Sequence, residues 1–208
     1  MLNGSVTFML RALVASLILG ALWHVLAAAQ IYGKAWIAQT LLEKAWNQTL
    51  TGPSQVKPWP WADFWPVAKL TMLRLDVEQI VLAGDSGNVL AFAPGYNEAS
   101  AKIGEIGISL VGGHRDTHFR FLEDLVTGDE LIIQTSTAQI IYVVERTEVV
   151  DERDYFVPAA LDLNSDTLAS GNDAQLILST CYPFDALVPS SSRFIVLAKQ
   201  KRSTEKND

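Results

Sequence analysis

A single cysteine, Cys181, occurs among the 208 residues, with only three histidines, His24, His114 and His118. One thiol excludes both an intrachain disulfide scaffold and a thiolate-rich metal site. Basic residues are also in short supply: 16 Lys and Arg stand against 23 Asp and Glu, a net charge of -7, with no basic run. The chain therefore lacks the electrostatic footprint of a nucleic-acid binder, and no nucleic acid is expected as a partner. Hydrophobic residues make up 49% and charged ones 19%. That composition excludes an intrinsically disordered chain, which lacks the apolar area to offset ordering entropy. The length suits one sizeable domain and falls short of two ordinary ones with linkers.

What is present begins with a long uncharged run. Arg11 and Lys34 bracket 22 residues, Ala12 to Gly33, without Asp, Glu, Lys or Arg. As a helix this run spans roughly 33 Å, enough for a hydrocarbon core of ~30 Å. Ala27-Ala28-Ala29 before Gln30 has the small-x-small form of a secretory cleavage site, but the run exceeds the ~7–15 apolar residues of a signal sequence, which favours an uncleaved anchor. The charge bias across the run is weak, and the short N-terminal tail favours N-in. The expectation is a single-pass chain in the cell (inner) membrane, touching lipid through this helix, with the main domain extracytoplasmic, on the periplasmic side.

Residues 34–50 place Trp36, Ile37, Leu41, Leu42, Ala45, Trp46 and Leu50 at helical spacing, which predicts an amphipathic helix packed on the domain or at the membrane interface. Pro58, Pro60 and Pro66 then forbid a regular helix. Trp59, Trp61, Phe64 and Trp65 in the same stretch are expected to pack as a belt. The organisation read from the chain is an anchor at 1–33, an amphipathic helix and Pro/Trp-rich tether at 34–66, a β domain at 67–200 and a polar tail at 201–208.

From Val67 onward short β-type runs alternate with turn residues. Strands are expected at Ala68–Val77, Gln79–Ala83, Val89–Ala93, Ile106–Gly112, Glu130–Thr135, Gln139–Val150, Ala174–Thr180 and Arg193–Ala198. A short helix is expected at Phe119–Val126 and another within Pro158–Ser170. Many short strands with few helices predict a mainly β fold, a closed or nearly closed barrel.

Three local patterns carry chemistry. An apolar strand runs into Gly112-Gly113 and then His114, with Asp116 two positions on; a second ends in Ser179-Thr180-Cys181 before Tyr182-Pro183; a third opens with Arg193. A free thiol, with a pKa of ~8.5, is only a few per cent thiolate at pH 7, so a thiol nucleophile needs a base or cation nearby. An imidazole exchanges that proton and returns it to a leaving amine. A fixed cationic donor stabilises the oxyanion of a tetrahedral intermediate. His114, Cys181 and Arg193 supply those three functions if the strands bring them together. Taken singly, each has a plainer reading: His114 as a turn residue, Cys181 as a buried small hydrophobe and Arg193 as a surface ion pair. Asp116 reads either as an orienter of His114 or as a cap for the following helix.

Taken together, the patterns resemble the sortase family of membrane-anchored cysteine transpeptidases. The matching elements are Gly113-His114-Arg115-Asp116-Thr117, Leu178-Ser179-Thr180-Cys181 with Ile177 where the family motif has Thr, and Arg193 twelve residues on. His114–Leu122 and Thr180–Phe184 look most like the class-D-like, marine proteobacterial type. The resemblance implies an eight-stranded sortase-type β-barrel with short helices, plus the N-terminal transmembrane helix. It implies attack by Cys181 on the Thr–Gly bond of a C-terminal sorting signal of the Leu-Pro-x-Thr-Gly kind in a secreted protein, with transfer to an amine acceptor. His114 would be the general acid/base and Arg193 the oxyanion donor, with Asp116 and Thr180 in support and no metal or cofactor. The segment 151–173 would wall the substrate groove, its Asp151, Glu152 and Asp154 forming a solvated face rather than a calcium site. A peptidoglycan L,D-transpeptidase is disfavoured because Tyr182-Pro183 follow the cysteine, and a papain-like protease by chain order. A non-catalytic tethered barrel stands as the remaining alternative.

Overall fold

The computed structural model describes residues 2–151, 173–186, 188 and 190–201. Two compact units divide the chain, Met1–Thr40 and Leu41–Asp208. The first belongs to helix α1, Leu2–Thr51, which continues through Gly33-Lys34 without a break. Leu13, Leu17, Leu22 and Leu26 of this unit are exposed. By length and composition the helix is a candidate membrane span from Val6 onward.

The second unit is built on β1 (Pro66–Met72), β2 (Val77–Ala83), β3 (Gly95–Tyr96), β4 (Gly107–Gly112), β5 (Glu130–Thr135), β6 (Gln139–Asp151), β7 (Ala174–Tyr182) and β8 (Ser192–Gln200). Among the described residues these eight strands close a barrel in the order β1-β2-β3-β4-β7-β8-β6-β5. The β2–β3 and β4–β7 pairs are parallel and the others antiparallel.

Strand alternation sends every second side chain inward. Leu70, Met72, Val111, Ile133, Leu176, Leu178 and Val196 fill the interior and are almost wholly buried. Each such side chain stabilises the fold by roughly 1.5–3 kcal/mol. Tyr142 is buried among them, and its hydroxyl accepts the Gly104 N–H at 3.0 Å.

Outside the barrel, the last turns of α1 and the Pro/Trp segment cover β2. Leu42 and Trp46 join Ala62, Phe64, Ile80 and Leu82 in a second apolar cluster, with Trp59 against its edge. Trp59 meets Phe64 edge-on with ring centroids 5.5 Å apart, a favoured geometry for aromatic pairs. Trp61 does not join this belt: it is 82% exposed.

Three local expectations are corrected. Val89–Ala93 is not a strand; Gly87–Leu90 forms a single helical turn, α2, which buries Val89 in the second cluster. Ala68–Val77 is not one strand, because β1 ends at Met72 and a 3-10 turn, Leu73–Leu75, closes on Asp76 at φ 52°. The helix at Phe119–Val126 shrinks to a 3-10 segment, Arg120–Asp124. The helix expected within Pro158–Ser170 and nearly all of the 151–173 groove wall lie outside the described residues.

Candidate active site

Strand parity decides which side chains meet at the end of β7. Leu176 and Leu178 point inward, and so does Thr180, which is 2% exposed. Ile177, Ser179 and Cys181 therefore face outward. On β8, Val196 and Ala198 point inward, which turns Arg193 outward as well. Cys181 and Arg193 are direct partners across the antiparallel β7–β8 pair. Arg193 Nη1 donates to Cys181 Sγ at 2.6 Å. The thiol is free and half-buried.

His114 arrives from the other side of β7. Gly112 pairs with Ser179 at the end of the parallel β4–β7 register, two residues before His114 on one side and Cys181 on the other. The Gly113 N–H donates to Ser179 O at 3.1 Å and continues the ladder. Inside the barrel, Thr180 Oγ1 donates to Gly113 O at 2.7 Å. Thr180 thus fixes the peptide that precedes His114, while its neighbour Cys181 faces the groove. The His114 carbonyl accepts the Phe119 N–H at 2.9 Å and closes the turn. Gly113 is required here, since an added Cβ would lie 2.7 Å from the Phe119 ring.

His114, Cys181 and Arg193 line one groove of about 660 Å³. Its floor includes Ile177, Gly112 and Ser179, and its far wall carries Asp85 and Asn97. Asn97 Nδ2 donates to Asp85 Oδ2 at 2.7 Å. The sequence showed Gly84–Asn88 only as a turn, because nothing local reveals that β2 and β3 bring this turn beside β4. An apolar floor with a thiol, an imidazole and a guanidinium at one end is suited to hold an extended peptide and perform acyl transfer on it.

Asp116 is exposed, and among the described residues it makes no hydrogen bond to His114. Its charge favours the protonated form of His118. His118 Nδ1 pairs with Gln79 Oε1 at 3.1 Å; the amide oxygen is an acceptor, so Nδ1–H donates. Burial holds His118 below the ordinary imidazole range, the nearby His114 pushes the same way, and Asp116 opposes both.

This geometry has relatives. Sortase D of Bacillus subtilis (strain 168) is 28% identical over 131 residues, 63% of this chain and 62% of that protein, so the match spans less than two thirds of the relative's length. Among solved structures, a Clostridium perfringens sortase D5 transpeptidase aligns with TM-score 0.56 and 22% identity over 80% of this chain and 99% of that one. A C. perfringens sortase C solved with the C-terminal cell wall sorting motif aligns with TM-score 0.55 and 17% identity, over 82% and 91%. At these identities the structural likeness is one of fold. A sortase-domain family model matches residues 70–201, from the middle of β1 to just past β8, and the chain belongs to the sortase family.

Proposed function

We propose that the protein is a membrane-anchored cysteine transpeptidase of the class-D-like, proteobacterial type, in which Cys181 attacks the Thr–Gly bond of a Leu-Pro-x-Thr-Gly-like C-terminal sorting signal. Residues 1–33 anchor it in the cell (inner) membrane, 34–66 tether it, 67–200 form the catalytic barrel outside the cytoplasm, and 201–208 are a polar tail. The observation that carries the reading is the 2.6 Å contact from Arg193 Nη1 to Cys181 Sγ in a groove that His114 also lines.

His114 takes the Cys181 thiol proton as the sulfur adds to the threonine carbonyl carbon. Arg193 donates to the oxyanion that forms beside the sulfur, in a groove partly shielded from water. His114 delivers a proton to the departing glycine amine, the C–N bond breaks, and a thioester remains. An acceptor amine then attacks the thioester, His114 takes its proton, and the Cys181 thiolate leaves. Thr180 keeps the Gly113 peptide in place throughout. The C. perfringens sortase C solved with the C-terminal cell wall sorting motif supports a sorting signal as the substrate class.

Cleavage of a quenched fluorescent Leu-Pro-x-Thr-Gly peptide tests this reading, with hydroxylamine as the acceptor. The wild-type protein is expected to release a hydroxamate product and Cys181→Ala to release none. Full turnover by Cys181→Ala would end the proposal.

A further inference from the structure

The residue after His114 reaches to the far side of the cysteine. Arg115 Nη2 donates to the backbone oxygens of Ala186 at 2.5 Å and Val188 at 3.2 Å. Both acceptors belong to the connection between β7 and β8, which joins Cys181 to Arg193. One guanidinium thus ties the turn that carries His114 to the backbone leaving Cys181.

A second bridge runs alongside. Arg120 donates to Asp185 at 3.0 Å and lies 5.8 Å from the Phe184 ring centroid. Phe184 packs on Phe194 at 5.1 Å, and Phe194 stacks with Tyr182 at 6.2 Å. Tyr182 and Phe194 directly follow Cys181 and Arg193 in sequence. The Arg120–Asp185 pair is exposed, and such pairs contribute little. The Arg115–Ala186 bond is part-buried and charge-assisted, which makes it the stronger of the two bridges.

We propose that Arg115 is a positioning residue: it holds the segment after Cys181 against the His114 turn and so sets the thiol–imidazole spacing. It touches neither reacting group, and its effect passes through the backbone at both ends. Its kinetic consequence rests on the acyl transfer proposed above.

The test compares the full-length wild-type protein with Arg115→Ala and Arg115→Lys. Hydrogen exchange is followed by mass spectrometry over residues 182–186, and kinetics by cleavage of the quenched Leu-Pro-x-Thr-Gly peptide. Arg115→Ala is expected to lose about 10–100-fold in kcat, with KM held within about twofold. Exchange after Cys181 speeds up, and Arg115→Lys, which keeps a charged donor, recovers part of both. Wild-type kcat and wild-type exchange in Arg115→Ala would overturn the proposal, as would a loss of kcat with unchanged exchange. If the wild-type protein leaves the peptide intact, the acyl transfer fails instead, and the exchange comparison alone decides the clamp. If Arg115→Ala does not fold, Arg115→Lys and Arg115→Gln carry the same comparison.

Discussion

Arg74 and Arg193 each aim a guanidinium at a side chain able to carry negative charge, yet the two contacts have different consequences. Arg74, in the turn after β1, grips both carboxylate oxygens of Asp129 at 2.7 and 2.6 Å and also donates to Asp124 O. Asp129 is buried and takes the Val126 N–H as well. Its carboxyl is held below the usual range by the Arg74 hydrogen bond, with burial working against it. Those oxygens are occupied, so the contact locks one turn to another. Arg193 meets a sulfur that faces an open groove and retains its bond-forming capacity. The residue type is the same; the partner and its access set the role.

The largest effects should come from the groove side. His114→Ala is expected to lower kcat about 10²–10⁴-fold, and Arg193→Ala about 10²–10³-fold. Thermal unfolding by circular dichroism should find both close to wild type. Loss of folding without a separate loss of chemistry in Arg193→Ala would make it a second Arg74.

The adjacent glycines sharpen the same contrast. An added Cβ at Gly112 meets nothing within 4 Å, and the residue lines the groove. Gly112→Val should raise KM for the peptide roughly tenfold by filling the floor, with the unfolding midpoint unchanged. Gly113→Ala forces a carbon onto the buried Phe119 ring and should cost about 1–3 kcal/mol of stability in urea denaturation. Equal behaviour of the two variants would remove the distinction between groove floor and core wall.

The smallest effect on chemistry is expected at the other arginine. Asp129→Ala should leave peptide cleavage within about twofold of wild type while costing about 1–3 kcal/mol of stability at pH 7. A carboxyl with a lowered folded pKa contributes stability that is present above its unfolded value, about 3.9, and is lost as pH falls through the folded value. The stability gap between wild type and variant should therefore be full at pH 7 and close in stronger acid. A constant gap from pH 7 to pH 2 would contradict the ion-pair origin.

Much of the barrel is legible in the chain because its strands are long enough to show their pattern. Glu130–Thr135 agrees with β5 at both ends, and Gln139–Val150 stops one residue short of β6. Val89–Ala93 misled because a five-residue apolar run has no period of its own; burial under Phe64 and Trp46 decides its shape. Strand β3 has two residues, Gly95 and Tyr96, and closure of the sheet, rather than propensity, creates it. The spacing from Cys181 to Arg193 suits a hairpin, but only the register makes them partners. The anchoring of the Gly113 peptide by Thr180 had no local signal, since that bond depends on β4 lying beside β7.

The most direct test is intact-protein mass spectrometry after brief incubation with a Leu-Pro-x-Thr-Gly peptide. The expected result is an added mass equal to the peptide up to its threonine, located on Cys181, removed by hydroxylamine and absent from Cys181→Ala. An unmodified Cys181 across a library of such peptides, in a protein whose thiol is alkylated by iodoacetamide, would contradict acyl transfer at this groove.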